Sequence, residues 1–322
     1  MRRRRIYGII VCLGLACVGF WMLLRMWRVG QEDERCLVSV IVSDSSNDRW
    51  IAMKQGMEQA AGDCQIDLNL VSTGPFLSLE DELTVIRREL SNGVDGVILQ
   101  MISSDGVYEE LKELLETEAV MFLETDIEPQ ECFASIVPDN TGMGEALADC
   151  ILRDYKNELE GKRIGILGGN QKQIAMQQRL SGFIKRMEQS NAQICWILDD
   201  KEADTIKETE ASTPVDILVA LEDAQTERAV DYLQETQERL ASCRLYGEGV
   251  SEKTVYYLDR GVIASLVVPN EFHMGYLSVK EIDRQLSYPS TKGESSQVDF
   301  LVVDKENLYD AENQKILFPI VQ

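Results

Sequence analysis

Apolar and polar residues along this chain fall into two periods that alternate many times. Leu37, Val38, Val40, Ile41 and Val42 form a short, mostly β-branched run, the mark of a strand covered on both faces. A polar loop follows, Ser43-Asp44-Ser45-Ser46-Asn47-Asp48, and from Trp50 onward Ile51, Met53, Met57 and Ala60 fall near helical spacing. The succession returns as a strand over Ile66 to Val71, a helix from Leu79 to Leu90 ended by Asn92-Gly93, and a strand Gly96 to Leu99. A helix Tyr108 to Leu115 and a strand Ala119 to Leu123 complete this run. Such strict alternation predicts a parallel sheet with right-handed crossovers.

Phe133 to Val137 predicts another strand and Thr141 to Tyr155 a helix, and then the pattern starts afresh. Strands are expected at Arg163 to Leu167, Ile194 to Ile197, Ile217 to Leu221 and Leu245 to Gly247, each followed by a helical stretch, the first being Ile174 to Gln189. Val262 to Val268 returns as a strand, Phe272 to Gln285 as a helix and Phe300 to Val303 as a late strand. Tyr288 to Gln297 is polar and reads as a loop, whereas the apolar tail Asn307 to Gln322 is expected to pack across the lobes. The fold class is therefore α/β, with two similar Rossmann-like lobes, and no short sequence repeat marks their likeness. Ligand contacts in open parallel sheets gather at the carboxyl ends of the strands, so the loop 43–48 is the first candidate.

The 322 residues, 44% of them hydrophobic, suffice for two cores. The amino terminus changes the picture. MRRRR precedes an uncharged stretch, Ile6 to Leu24, with Arg25 and Arg28 just beyond it. That stretch has the length of a membrane-spanning helix, and the flanking arginines place the start of the chain inside and its bulk outside. An uncleaved anchor over residues 1–30 is expected, in contact with the lipid bilayer through residues 6–24; a cleaved signal peptide is the alternative. The rest of the chain carries 26 basic and 55 acidic side chains, a surface that repels nucleic acid.

The eight cysteines form no C-x-x-C pair, and a single His273 removes the usual partner, so no metal or other cofactor is expected. Cys36 begins the first strand and Cys64 ends the first helix, which brings both to one end of the sheet. A disulfide between them is an expectation for a chain outside the cell. Gly168-Gly169-Asn170 after a strand lacks the full G-x-G-x-x-G and reads as a plain turn. Nothing fixes a pair of carboxylates for glycoside chemistry, no Ser/His/Asp set is available, and a membrane span stands where a helix-turn-helix would be; an enzyme is a minor alternative.

Several segments taken in order resemble one family: VSVIVSDSSNDRW, NGVDGVILQ, FLETD followed by VPDNTGMGEALA, GKRIGILGG with QQRLSGF, DILVALED, and VVPNEFHMGYLSV. Between about Leu37 and Val303 the chain resembles the type I periplasmic binding proteins, the ribose- and galactose-binding group. The resemblance implies two lobes joined by a multi-segment hinge near Pro138, Pro269 and the stretch before Phe300, closing on a small ligand, most often a sugar. It places residues 37–138 with 270–296 in one lobe and 139–269 with 297–305 in the other, leaving 306–322 as a packed tail. It also implies ligand contacts at Asn47, Trp50 as a ring wall, Glu124, Arg179 or else Gln177, Glu222, Glu248 and Asn270. Arg49 stands where the family often has an aromatic, and Glu271 where it has proline. The implied role is a membrane-anchored, extracytoplasmic solute-binding protein that serves a membrane permease of an ABC transporter. A ligand sensor that signals to a membrane kinase is the alternative.

Overall fold

The computed structural model describes residues 35–115, 118–128, 133–289 and 293–318. The expected anchor Ile6 to Leu24 and the cysteines Cys12, Cys17 and Cys132 lie outside them. Among the described residues no helix is long and apolar enough to cross a membrane.

The first series of elements runs β1 (Leu37–Ile41), a 3-10 turn Asp48–Trp50, α1 (Ile51–Cys64), β2 (Asp67–Leu70), α2 (Leu79–Ser91) and β3 (Gly96–Leu99). It continues through α3 (Val107–Leu115), β4 (Ala119–Leu123) and β5 (Ala134–Pro138). The second runs α4 (Asn140–Tyr155), β6 (Arg163–Leu167), α5 (Ile174–Met187), β7 (Gln193–Leu198), α6 (Ile206–Ser212) and β8 (Ile217–Ala220). Then come α7 (Asp223–Glu235), α8 (Gln237–Leu240), β9 (Arg244–Glu248), α9 (Glu252–Asp259) and β10 (Ile263–Pro269). The chain ends with α10 (Glu271–Ser287), β11 (Ser296–Val298), β12 (Phe300–Asp304) and α11 (Ala311–Leu317). Local signals set these ends. Ser78 accepts a hydrogen bond from the Asp81 amide at the start of α2, three acids fill its first turn, and Gly93 turns the chain out with φ of 85°.

Two six-stranded sheets result, ordered β11-β5-β4-β3-β1-β2 and β12-β10-β9-β8-β6-β7. Every pairing is parallel except β10 with β12. The chain passes from one sheet to the other three times, at Asp139, at Asn270 and at Asp299. In each sheet the order reverses beside the first strand, between β1 and β3 and between β6 and β8, the crevice where open α/β sheets take ligands. β11, within a stretch read as loop, joins the first sheet along β5, because backbone pairing and not side-chain pattern makes it a strand.

Contrary to the expectation that no short repeat marks the lobes, one stretch of sequence does recur between them once the sheets are in view. Pro138-Asp139-Asn140-Thr141-Gly142-Met143-Gly144 and Pro269-Asn270-Glu271-Phe272-His273-Met274-Gly275 occupy equivalent places. Each has a proline ending a strand, a cap side chain (Asp139 on the Gly142 amide, Asn270 on the His273 amide), a buried methionine and a glycine at a helix crossing. A Cβ on Gly144 would stand 2.0 Å from the Arg179 carbonyl oxygen, and one on Gly275 2.1 Å from that of Met53. Gly182 and Gly56 complete the two pairs, so α4 lies on α5 and α10 on α1 backbone against backbone.

Two other expectations fail. Among its described residues the tail packs on one lobe: Leu308 and Leu317 are buried in the core of the second lobe with Val268, Val303 and Leu258, and Tyr309 donates to Asp259. Cys64 is a free thiol beside Lys280 and Asp283 of α10, with its pKa raised by burial and by Asp283.

Candidate functional site

The lobes meet through direct hydrogen bonds between the loops that follow β3 and β6. The Ser104 amide donates to the Lys172 carbonyl (2.8 Å), Asn170 Nδ2 to the Ile102 carbonyl (2.6 Å) and Gln173 Nε2 to the Met101 carbonyl (2.7 Å). From the first turn of α5, the Ile174 amide donates to Ser104 Oγ and the Ala175 amide to Thr125 Oγ1. These contacts enclose a cavity of about 20 Å³, room for about one water. Arg49, Gln100, Glu124 and Thr125 line it from the first lobe; Gln173, Arg179, Glu222 and Glu248 line it from the second.

Most of these side chains are delivered by the end of an element, and Arg179 by the second turn of α5. Arg49 rides the 3-10 turn after β1; its guanidinium lies 3.9 Å over the Trp50 ring and pairs with Glu124. Glu124, just past β4, holds φ at 63°, a left-handed backbone that is strained for a residue with a Cβ. Arg179 comes from α5 and is buried. Its Nε donates to Asn140 Oδ1 (2.8 Å), its Nη1 to the Leu221 carbonyl (2.9 Å), and the same nitrogen stands 3.5 Å from Glu248. Glu222 follows β8 and Glu248 ends β9. Glu271, the first residue of α10, is buried with Oε2 unpartnered.

Four glutamates thus face two arginines. Burial pushes Glu248 up to about 8 against the pull of Arg179, and it also raises Glu222. It raises Glu271 well above the ordinary range, helped by neighbouring Glu124. Burial opposes the charge on Arg49, but Glu124, Glu271, Glu222 and Glu248 together outweigh it and hold the guanidinium firmly protonated. The arrangement can bind donors. Among the described residues no group of His, Cys, Asp and Glu is placed to hold a metal ion.

Of the residues singled out from sequence, Glu124, Arg179, Glu222 and Glu248 share this cavity. Three do not line it. Trp50 is buried and borders a separate small cavity with Val40, Met53 and Leu70, one ring face taken by Arg49. Asn47 is exposed, accepts from the Arg49 amide (3.0 Å) and borders the open mouth beside Tyr256. Asn270 caps α10 at a crossing between the sheets. Gln177, the alternative to Arg179, bonds the Gln171 carbonyl instead. Arg49, Gln100, Thr125, Gln173 and Glu271 were not among the sequence candidates. Gln100 directly follows β3 and Thr125 lies two residues past β4, and the rule that strand ends carry ligand contacts points to both.

Residues 38–289 match the family model described as "Periplasmic binding protein domain". No curated protein matches the chain by sequence. Among solved structures, a glucose-galactose binding protein from Geobacillus stearothermophilus is 20% identical with a TM-score of 0.76, covering 86% of this chain and 99% of its own. A carbohydrate transporter solute binding protein from Agrobacterium radiobacter, solved with D-arabinose, is 15% identical with a TM-score of 0.79, covering 88% and 99%. A chain of the XylFII-LytSN complex is 18% identical with a TM-score of 0.73, covering 84% and 98%. With the family model covering most of its length and the same two-lobed fold in the structures it matches, this chain belongs to the periplasmic binding proteins, type I.

Proposed function

We propose that the chain is an extracytoplasmic solute-binding protein, held at the membrane by Ile6 to Leu24, that encloses a sugar between its lobes and passes it to an ABC transporter. One observation carries this reading. The planar charged side chains Glu124, Arg179, Glu222 and Glu248 converge from strand and helix ends of both lobes on one enclosed point. Carboxylates and guanidiniums make paired hydrogen bonds to hydroxyls, and enclosure strengthens them by excluding water. The cavity as it stands is too small for a sugar ring, so binding requires the lobes to part, a hinge motion at the three crossings. Structures of similar fold that carry D-arabinose and D-fucose support the sugar class. The role is binding and not catalysis.

The test is a thermal-shift screen of the full chain against pentoses, hexoses and polyols. A sugar present at a hundred times its Kd is expected to add about 2.7 kcal/mol of stability and raise the melting temperature. Unchanged melting across the sugars, from folded protein, would refute the reading. Likeness to a chain of the XylFII-LytSN complex favours a second one, in which the sugar-bound form signals to a membrane protein partner, a sensor kinase, instead of delivering cargo. Ligand-dependent co-purification with such a partner, and not with a permease, would select it.

A further inference from the structure

The charge at the cleft is unbalanced in one direction. Glu124, Glu222, Glu248 and Glu271 act on one another and on only two cations, Arg49 and Arg179. Arg179 is fully engaged by Asn140, the Leu221 carbonyl and Glu248. Arg49 belongs to a loop at the rim and reaches inward over Trp50 to meet Glu124. Three buried polar atoms at or beside the site also lack a partner: Gln100 Oε1, on a cavity-lining residue, and Glu271 Oε2 are oxygens that can accept, and Trp50 Nε1 is a donor.

The Arg49 guanidinium therefore shows what this pocket gathers: a planar cation rich in N–H donors, stacked on an indole and surrounded by carboxylates. A ligand that reaches Glu124 and the Trp50 face must take the place of the Arg49 side chain, which covers both. Once Arg49 leaves, one arginine faces four glutamates. A neutral sugar offers these buried carboxyls no countercharge and leaves burial opposing their ionised forms, whereas a cation seated among them offsets that cost.

We propose that the ligand of this cleft is an amino sugar, whose ammonium takes the place among Glu124, Glu222, Glu248 and Glu271 that the Arg49 side chain fills. The inference rests on the sugar-binding reading and narrows its ligand class. The Trp50 face uncovered by Arg49 would meet the apolar face of the ring, and Gln100 Oε1 and Glu271 Oε2 would accept from its ammonium and hydroxyls.

The test is isothermal titration calorimetry of the full chain at neutral pH with glucosamine, galactosamine and mannosamine, their neutral parents and their N-acetyl derivatives. The N-acetyl forms keep the ring and lose the charge. At least tenfold tighter binding of one amino sugar than of both its neutral parent and its N-acetyl form is expected. Glu271→Gln and, at a half-buried position that tolerates change better, Glu222→Gln are each expected to lower the ratio of amino to neutral affinity at least threefold. A neutral sugar bound as tightly as its amino counterpart would overturn the charge assignment and leave the sugar-binding reading standing. No binding by any sugar, charged or neutral, would overturn both.

Discussion

Glu82 offers the sharpest test of how this protein holds its cleft. It lies on α2, fully buried, with Oε2 accepting the Ile102 amide (3.1 Å) and Oε1 unpartnered. Ile102 sits in the loop after β3, whose carbonyls take the side chains of Asn170 and Gln173 from the other lobe. Burial pushes the Glu82 carboxyl from 4.5 to about 8, with the Ile102 amide offsetting part of the effect. That displacement corresponds to roughly 5 kcal/mol between the protonation states. Below pH 4.5 the carboxyl is protonated both folded and unfolded, so it adds no pH dependence. Between 4.5 and about 8 the unfolded chain releases the proton while the folded chain keeps it, and stability falls as pH rises. Glu82→Gln keeps an acceptor for Ile102 and removes the titration. The other buried acids, Glu222, Glu248 and Glu271, titrate in both proteins and cancel in the difference. Urea unfolding of wild type and variant at pH 5 and pH 9 is expected to show the stability gap shifting by roughly 4 kcal/mol in the variant's favour. A shift below about 1 kcal/mol would refute the claim that this carboxyl is buried and neutral.

Four further outcomes follow from packing. Gly144→Val would drive a side chain into the Arg179 carbonyl and part α4 from α5, costing about 3 kcal/mol by denaturant midpoint; Gly62→Ala, where a Cβ meets nothing within 4 Å, should stabilise by roughly 0.5–1 kcal/mol. Leu308→Ala removes a fully buried tail side chain and should cost about 2–5 kcal/mol in urea unfolding. An unchanged midpoint would mean that the tail is not part of the second core. Trp50→Ala should lower stability by about 3 kcal/mol, since the ring is core to the first lobe; a midpoint equal to wild type would place the ring outside it.

Most strands were legible to within a residue or two because the sheets are parallel and covered on both faces, so each strand is a compact β-branched run between strong turn signals. Val97 to Leu99 and Ile164 to Leu167 show this plainly. β11 was not legible: Ser296 and Gln297 are polar and exposed, and only their pairing with Ile136 and Val137 makes them strand. The tail was legible as apolar but not as belonging to one lobe, since hydrophobicity has no direction. At the cleft, Glu124, Arg179, Glu222 and Glu248 could be read from strand ends and family likeness, whereas the inward reach of Arg49 could not. A long charged side chain on a polar loop points to solvent in most proteins, and only the partners waiting inside reverse that preference.

The sequence alone determined the class of the fold and the positions of the βα units, because hydrophobic period and capping residues act over a few neighbours. It also determined the surplus of acid over base. Only the tertiary structure decided which acids share one enclosed point, that Arg49 and not an aromatic ring lies against Trp50, and that Glu271 and Gln100 keep an acceptor without a partner. Those facts depend on groups from distant parts of the chain, such as Arg49 and Glu124, 75 positions apart, meeting where water is excluded, and local pattern carries no record of which side chains will share that space.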